Sequence, residues 1–320
     1  MNIIRPFVNK KKEYEAFVAV ENAIWVDYPS TVEEYMHYDS TRDPKYLFQR
    51  FVIEKDGKII GSCMCCEPWW SMKPGKYYLN VSIHPDYRRR GYGSEAYDFI
   101  IKELEKHNPS VFVSDTREDQ TDSVKFLTDR GFIQLMREPT SQLDILAFDP
   151  KKFSGYAEKM NKLGIKIISL TEVEKINPNW KRMFWDLEWE LLQDVPTTDP
   201  LTRQTFENFE KRTLSSPGFY PDAQFFALNK GKYVGMSALW TSKATPKKLF
   251  TGLTGVVQSH RRKGIATAMK VRAIDFARKY GATIIETDNE ENNPMYFLNL
   301  KLGFKSKPAW LQYEKKLKKV

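Results

Sequence analysis

Arg88-Arg89-Arg90-Gly91-Tyr92-Gly93-Ser94 is the stretch from which the rest of the chain can be read. Ahead of it, Tyr77, Leu79, Val81 and Ile83 alternate as in a strand. Behind it, Ala96, Phe99, Ile100 and Leu104 recur at helical spacing. A loop with two glycines therefore joins a strand to the first turn of a helix. Such a junction gathers unpaired backbone N–H groups and the positive end of a helix dipole at one point. Gly91 and Gly93 have no Cβ, so an anion can approach the backbone closely. With three arginines at its mouth the loop reads as a phosphate cradle, and a pyrophosphate is the anion it suits.

Gly91-x-Gly93-x-x-Ala96 also passes for a dinucleotide fingerprint, and Asp115 supplies an acidic residue about 20 positions on. A second copy argues against that reading. Arg261-Arg262-Lys263-Gly264-Ile265-Ala266-Thr267 again follows a strand, Phe250 to Val257. It again opens a helix, with Ile265, Met269, Ala273, Phe276 and Tyr280 on one face and Gly281 just past its end. Both copies keep Arg-x-x-Gly-x-Gly/Ala, and both lie deep in their halves, whereas a dinucleotide loop follows the first strand.

The duplication runs further. Asn2 to Phe7 and Gly164 to Leu170 read as equivalent first strands, each entering a helical stretch: Tyr14 to Tyr28 and Thr31 to Tyr38, then Asn179 through Leu192. Hairpins follow at Asp56-Gly57 and at Asn229-Lys230-Gly231. Gly57 and Gly61 recur as Gly231 and Gly235, a shift of 174 (from 57 to 231). The first loop arginines shift by 173 (from 88 to 261), as do Asp115 and Asp288. Such drift is what duplication with small insertions leaves. At about 150 residues per domain, 320 residues make two. The boundaries fall at 1–150 and 164–320, with 151–163 a linking helix. Each domain is expected to be α/β, a mixed sheet flanked by helices.

Arg88, Gly91 and Gly93, with Arg261, Gly264 and Ala266, resemble the coenzyme A loop of the GNAT superfamily of N-acetyltransferases. Arg130-Gly131-Phe132 and Leu302-Gly303-Phe304 resemble the family's domain ends. Two copies are similar to the tandem arrangement of mycothiol synthase. The resemblance implies two mostly antiparallel GNAT-like sheets, acetyl-CoA as cofactor, and transfer of acetyl to a small amine or amino-acid-like acceptor. It places the coenzyme on Arg88, Arg89, Arg90, Gly91, Tyr92, Gly93 and Ser94, and on Arg261, Arg262, Lys263, Gly264, Ile265, Ala266 and Thr267. The strands before the loops would contribute Val81, Ile83, Thr254 and Val256.

The family's usual base, a glutamate early in that strand, has no counterpart in Lys76 to Ile83 or Leu249 to Val257. Its usual tyrosine acid is replaced by Leu127 and Asn299. Glu286, Asp288 and Tyr296 stand nearest as substitutes, with a strand-surface role as the alternative for Glu286. The second half also keeps Asn292 and Asn299 where the resemblance places amides for the pantetheine arm or a helix cap. The first half has Gln120 and Leu127 there. On that ground the C-terminal half is expected to carry the chemistry.

Net charge is +9, from 50 Lys+Arg against 41 Asp+Glu, well mixed along the chain. Nucleic acid is therefore a weak expectation, resting on Lys315-Lys316-Leu317-Lys318-Lys319; a non-catalytic acyl-CoA-binding or RNA-associated protein is the rival reading. No apolar run is long enough to span a membrane and no signal peptide is read, so a cytoplasmic protein is expected. Cys63, Cys65 and Cys66 have no second pair to complete a zinc site, and read as buried thiols in a strand. No metal is expected. Trp180, Trp185 and Trp189 fall at helical spacing as core. Asp186, Glu190 and Asp194 line one face that either is solvated or receives a cation.

Overall fold

The computed structural model describes residues 2–317. The chain forms two compact units, each completed by a strand from the other repeat. One unit gathers residues up to Arg137, Thr198–Thr202 and the chain from Trp310 onward; the other gathers Glu138–Thr197 and Arg203–Ala309.

The first repeat runs β1 (Asn2–Pro6), α1 (Lys11–Ile24), α2 (Val32–Ser40), β2 (Phe48–Lys55), β3 (Lys58–Cys66), β4 (Lys76–Ile83), α3 (Tyr92–Glu105), β5 (Val111–Arg117), α4 (Thr121–Asp129) and β6 (Ile133–Asp144). The linking segment contains α5 (Gly155–Lys162). The second repeat runs β7 (Ile165–Ser169), α6 (Leu170–Ile176), α7 (Trp180–Leu192), α8 (Phe206–Phe209), β8 (Gln224–Asn229), β9 (Lys232–Trp240), β10 (Lys248–Val256), α9 (Ile265–Tyr280), β11 (Ile284–Asp288), α10 (Pro294–Leu302) and β12 (Lys305–Lys316).

In the N-terminal unit the strands lie in the order β1-β2-β3-β4-β5-β12. All pairs are antiparallel except β4 with β5. The C-terminal unit has the order β6-β11-β10-β9-β8-β7, and there only β10 and β11 run parallel. The expected mixed, mostly antiparallel sheets are present. Residues 138–150 differ from their expected place, because Thr140–Asp144 pair with Asp288–Ile284. Conversely, Trp310–Lys316 pair with Arg117–Val111. The exchange leaves the local pattern of each strand unchanged.

Local chemistry explains the element ends. Thr31 and Ser169 cap α2 and α6, each closing a capping box with the glutamate three residues on, Glu34 and Glu172. Each hairpin carries one register shift, between Ile53 and Glu54 and between Ala227 and Leu228. These bulges are again 174 apart (from 53 to 227). Val52, Ile53, Ile60, Leu79, Ile100 and Phe112 are buried in the first unit. In the second, Phe225, Leu249, Ile274 and Ile285 pack on one face; Phe184, Leu187, Leu191 and Phe226 pack on the other. Trp180 and Trp185 pack against that second cluster partly buried, while Trp189, expected with them, is not among its residues. The three cysteines are buried free thiols on β3, and burial pushes Cys63 and Cys65 up to about 12.

Beside each bulge a glycine lets two strands approach. A Cβ on Gly61 would stand 2.5 Å from the Ser82 carbonyl oxygen, and one on Gly235 2.8 Å from that of Gly255. Gly61→Ala is therefore expected to cost about 1–3 kcal/mol in urea unfolding, as overpacking does. Gly155→Ala, where a Cβ meets nothing within 4 Å, is the control and should be neutral or better.

Candidate active site

The parallel pairs at the centre of each unit are short. In the N-terminal unit, Lys76, Tyr77 and Tyr78 pair with Val111, Phe112 and Val113, and there the ladder stops. Beyond that point β4 remains paired only to β3, and β5 only to β12. The strands part around a cavity of about 370 Å³, lined by Leu79–Ile83 on one side and by Ser114, Asp115 and Thr116 on the other. Arg88, Arg89, Gly91, Gly93 and Ser94 form one end of it, and Gln120, Phe126 and Leu127 of the following segment close it.

The cradle itself has the geometry its sequence asks for. Arg88 turns back to donate from Nε to the Ile83 carbonyl at 3.2 Å, tying the loop to the strand end. Arg89 and Gly91 take φ of +61° and +90°, and Gly91 is the N-cap of α3. At Gly91 this left-handed backbone favours glycine. A Cβ there would have only Glu95 Oε1 near it, at 3.9 Å, so the space before the helix N-terminus is open. Arg130 donates to Ser94 Oγ at 2.8 Å while lying over the Phe126 ring, which braces the first turn.

The C-terminal cradle repeats this backbone closely. Arg261 Nε donates to the Val256 carbonyl at 2.9 Å, and Arg262 and Gly264 take φ of +62° and +84°. Its surroundings differ. A Cβ on Gly264 would lie 2.9 Å from the Tyr156 ring of α5 and 3.5 Å from Lys159 Nζ. Arg261 is held by Asp194, so one member of the acidic face is spent on the cradle arginine; Asp186 is likewise paired, to Arg203 at 2.5 Å.

Here too the strands part, after Lys248–Phe250 with Ile284–Glu286. Leu191 lies against Gly255, and Lys270 enters from α9. Lys270 stands 173 residues after Tyr97, which lines the N-terminal cavity. Burial pushes its pKa down to about 8. The void that Lys270 lines with Ser237, Thr251 and Phe304 is only about 10 Å³.

The residues picked out as acid–base substitutes fall in this filled unit. Glu286 is 1% exposed, with its Oε2 2.8 Å from Lys248 Nζ and accepting from Gln142 Nε2 at 2.5 Å. It is a buried ion-paired strand residue, not a solvent-facing one. Asp288 is exposed and accepts from Thr140 Oγ1 at 2.5 Å. Tyr296 is half-buried against the Phe297 ring. Asn293, not Asn292, caps α10, while Asn292 bonds to Glu290. Asn299 is fully buried and donates to Asn289. Thr254 shares its hydroxyl with Ser237 at 3.0 Å, and Val256, Ile265 and Thr267 are buried. Val81 and Ile83, by contrast, line the N-terminal cavity.

Two features of the N-terminal unit escaped the sequence reading. Tyr78, at the point where the strands part, donates to Asp115 Oδ1 at 2.5 Å. Burial raises Asp115 above the ordinary carboxylate range, with the Tyr78 hydrogen bond pulling the other way; Tyr78 itself is held well above 10 by its burial. Nearby, Trp25 and Tyr28 pack on Trp310, and Arg117 lies over Tyr28 and Trp310. Only the repeat shift linking Asp115 to Asp288 hinted at the first, and nothing hinted at the second, because Trp310 arrives through the strand exchange.

The family model described as "Acetyltransferase (GNAT) family" matches residues 17–132 and 180–304. The chain belongs to the GNAT acetyltransferases, twice over in tandem, and acetyl-CoA is the acyl donor of that family. Among solved structures it is similar to a tandem GNAT protein from the clavulanic acid biosynthesis pathway: TM-score 0.77, 16% identity, all of both chains covered. It is also similar to a GCN5-related N-acetyltransferase from Sphaerobacter thermophilus, with TM-score 0.70, 16% identity, and 98% and 95% of the two chains covered. A glucosamine N-acetyltransferase region of a fungal multi-domain GH3 β-N-acetylglucosaminidase gives TM-score 0.71 at 14% identity, covering 98% of this chain and 38% of that one. No curated protein sequence matches the chain. Among the described residues no helix is long and apolar enough to cross a membrane.

Removing one partner of a buried ion pair costs about 3–5 kcal/mol. Lys248→Met should therefore destabilise the chain by that amount in urea unfolding. Adding Glu286→Gln should recover most of the loss and keep wild-type turnover. Lost turnover in the folded double variant, with acetyl-CoA still bound, would return Glu286 to the reaction.

Proposed function

We propose that this acetyltransferase moves acetyl from acetyl-CoA to an amine nitrogen of a small acceptor, and that the N-terminal unit binds the coenzyme and carries the chemistry. The sequence favoured the C-terminal half on the strength of Asn292 and Asn299. The single observation that carries the present reading is the cavity of about 370 Å³ between the parted strands of the N-terminal unit. It runs from the anion cradle to the end of the parallel ladder.

The residues suit the coenzyme. Gly91 and Gly93 leave the backbone N–H groups of the first helical turn approachable, and Arg88 and Arg89 line the same end. The unpaired edge of β4 from Leu79 to Ile83 offers backbone donors and acceptors to a pantetheine arm, as an open strand edge does to any extended chain. When bound, the coenzyme supplies the activated acetyl thioester; the protein holds the anion, excludes water and orients the acceptor. In the C-terminal unit, Tyr156, Leu191, Lys270 and the Asp194–Arg261 pair stand in the corresponding space. That argues for a structural role there. Of the basic terminus, Lys315 reaches Tyr97 and Lys316 pairs with Glu314, while Lys318 and Lys319 lie outside the described residues.

A hydrogen bond from N–H to a charged phosphate is worth about 1.5–3 kcal/mol. Gly91→Val, which strains the backbone and crowds the cradle, should weaken acetyl-CoA binding by at least about tenfold in calorimetry, and turnover should fall with it. Gly264→Ala should lower the melting temperature through its clash with Tyr156, yet leave acetyl-CoA affinity unchanged. The reverse pattern would place the coenzyme in the C-terminal unit.

A further inference from the structure

We propose that Asp115 is the general base of the transfer, that Tyr78 positions it, and that the acceptor enters as an ammonium ion. The inference rests on the acetyl-transfer reading of the N-terminal cleft and deepens it.

Position comes first. Tyr78 is the last β4 residue in the parallel ladder, opposite Val113, so its hydroxyl and Asp115 meet where the strands begin to part. Asp115 lines the cavity beside Asn80, Ser114 and Thr116. One carboxylate oxygen accepts from Tyr78; the other has no hydrogen-bond partner among the described residues.

Charge comes second. Arg117, two residues along the same strand, is engaged by Asp119 and Tyr28. On β12, the residue opposite Asp115 is the uncharged Gln312. From α1, Glu21 is buried and accepts from Ser62 Oγ at 3.2 Å; burial raises its pKa, and it brings no cation. Tyr97 of α3 lines the cavity, and its hydroxyl accepts from Lys315 Nζ of β12 at 3.3 Å. Arg88, Arg89 and Asp122 line the same cavity by the cradle, where Arg89 lies 3.7 Å from Asp122. A carboxylate in a cavity wall with no cation paired to it is a costly structural feature. It is also the group that an incoming ammonium would complete. The counterpart in the other unit, Asp288, is exposed and bonded to Thr140, and does not line the small void beside Lys270.

An alkylamine with a pKa near 10.4 is free in about one molecule per few thousand at pH 7, so removing its proton is a necessary step. Asp115 takes one proton from the ammonium. The freed nitrogen lone pair forms the C–N bond at the thioester carbon, and the C–S bond breaks with its electron pair going to sulfur. The nitrogen's surplus proton ends on that sulfur as thiol, and Asp115 returns its own proton to water. Ammonium and thioester thus give amide, thiol and one released proton. Tyr78 keeps its proton throughout and holds the carboxylate by donating to Oδ1.

The test uses the full chain, with thiol release from acetyl-CoA measured over a panel of primary alkylamines and amino acids across pH. Asp115→Asn should lower kcat by about 10²–10⁴, the usual worth of a general base, with acetyl-CoA affinity by calorimetry within about twofold of wild type. Its deficit should shrink for acceptors whose amines are already neutral at the assay pH; a structural role would not sort acceptors by basicity. Tyr78→Phe removes a bond that favours the charged carboxylate, so the acidic limb of the kcat profile should move to higher pH. That shift carries the test if Asp115→Asn does not fold. Wild-type kcat in Asp115→Asn, or an unmoved limb in Tyr78→Phe, overturns the assignment and leaves the acetyl-transfer reading standing. A wild-type chain that binds no acetyl-CoA, or releases no thiol with any amine, overturns both.

Discussion

The structure turns on one break in a hydrogen-bond ladder. β4 and β5 run parallel for three residue pairs and then separate, while each keeps its partner on the other side. Backbone N–H and C=O groups on the freed edges still need partners or water, because leaving such groups buried and unpaired costs as much as a lost hydrogen bond. A break of this kind creates a wedge whose walls are polar backbone and whose wide end meets the helix N-terminus of α3. Anion cradle, cavity and the Tyr78–Asp115 pair all follow from where that break falls.

The second repeat shows what the same break does when it is filled. Its ladder also ends after three pairs, and its cradle takes the same left-handed backbone at Gly264. Leu191 and Lys270 then stand where the wedge would open, and Tyr156 stands before the cradle. The two halves thus keep the backbone of one ancestral unit and differ in the side chains that reach the gap. Such a division suits a pair in which one unit works and the other contributes its core.

Much of the fold was legible because it is local. The alternation of Tyr77 to Ile83, the glycines of the two loops and the hairpins at Gly57 and Gly231 each state their element without tertiary help. The constant shift between copies then placed two units. The strand exchange was not legible: β6 and β12 present the same alternating pattern whichever β5-type strand they pair with. The filling of the second cleft was hidden for a related reason, since Tyr156, Leu191 and Lys270 come from three separate helices. The downstream amides Asn292 and Asn299 bond within their own segment. Asp115 drew no role because the downstream amides favoured the C-terminal half, where the matching strand offers Glu286 and Asp288.

The central claim is that a single cleft, that of the N-terminal unit, receives the coenzyme. Amide hydrogen exchange on the full chain, with and without saturating acetyl-CoA, tests it without any substitution. The account predicts slower exchange over 79–94 and 114–127 and no change over 252–267. Protection over 252–267, alone or together with the first region, would contradict it.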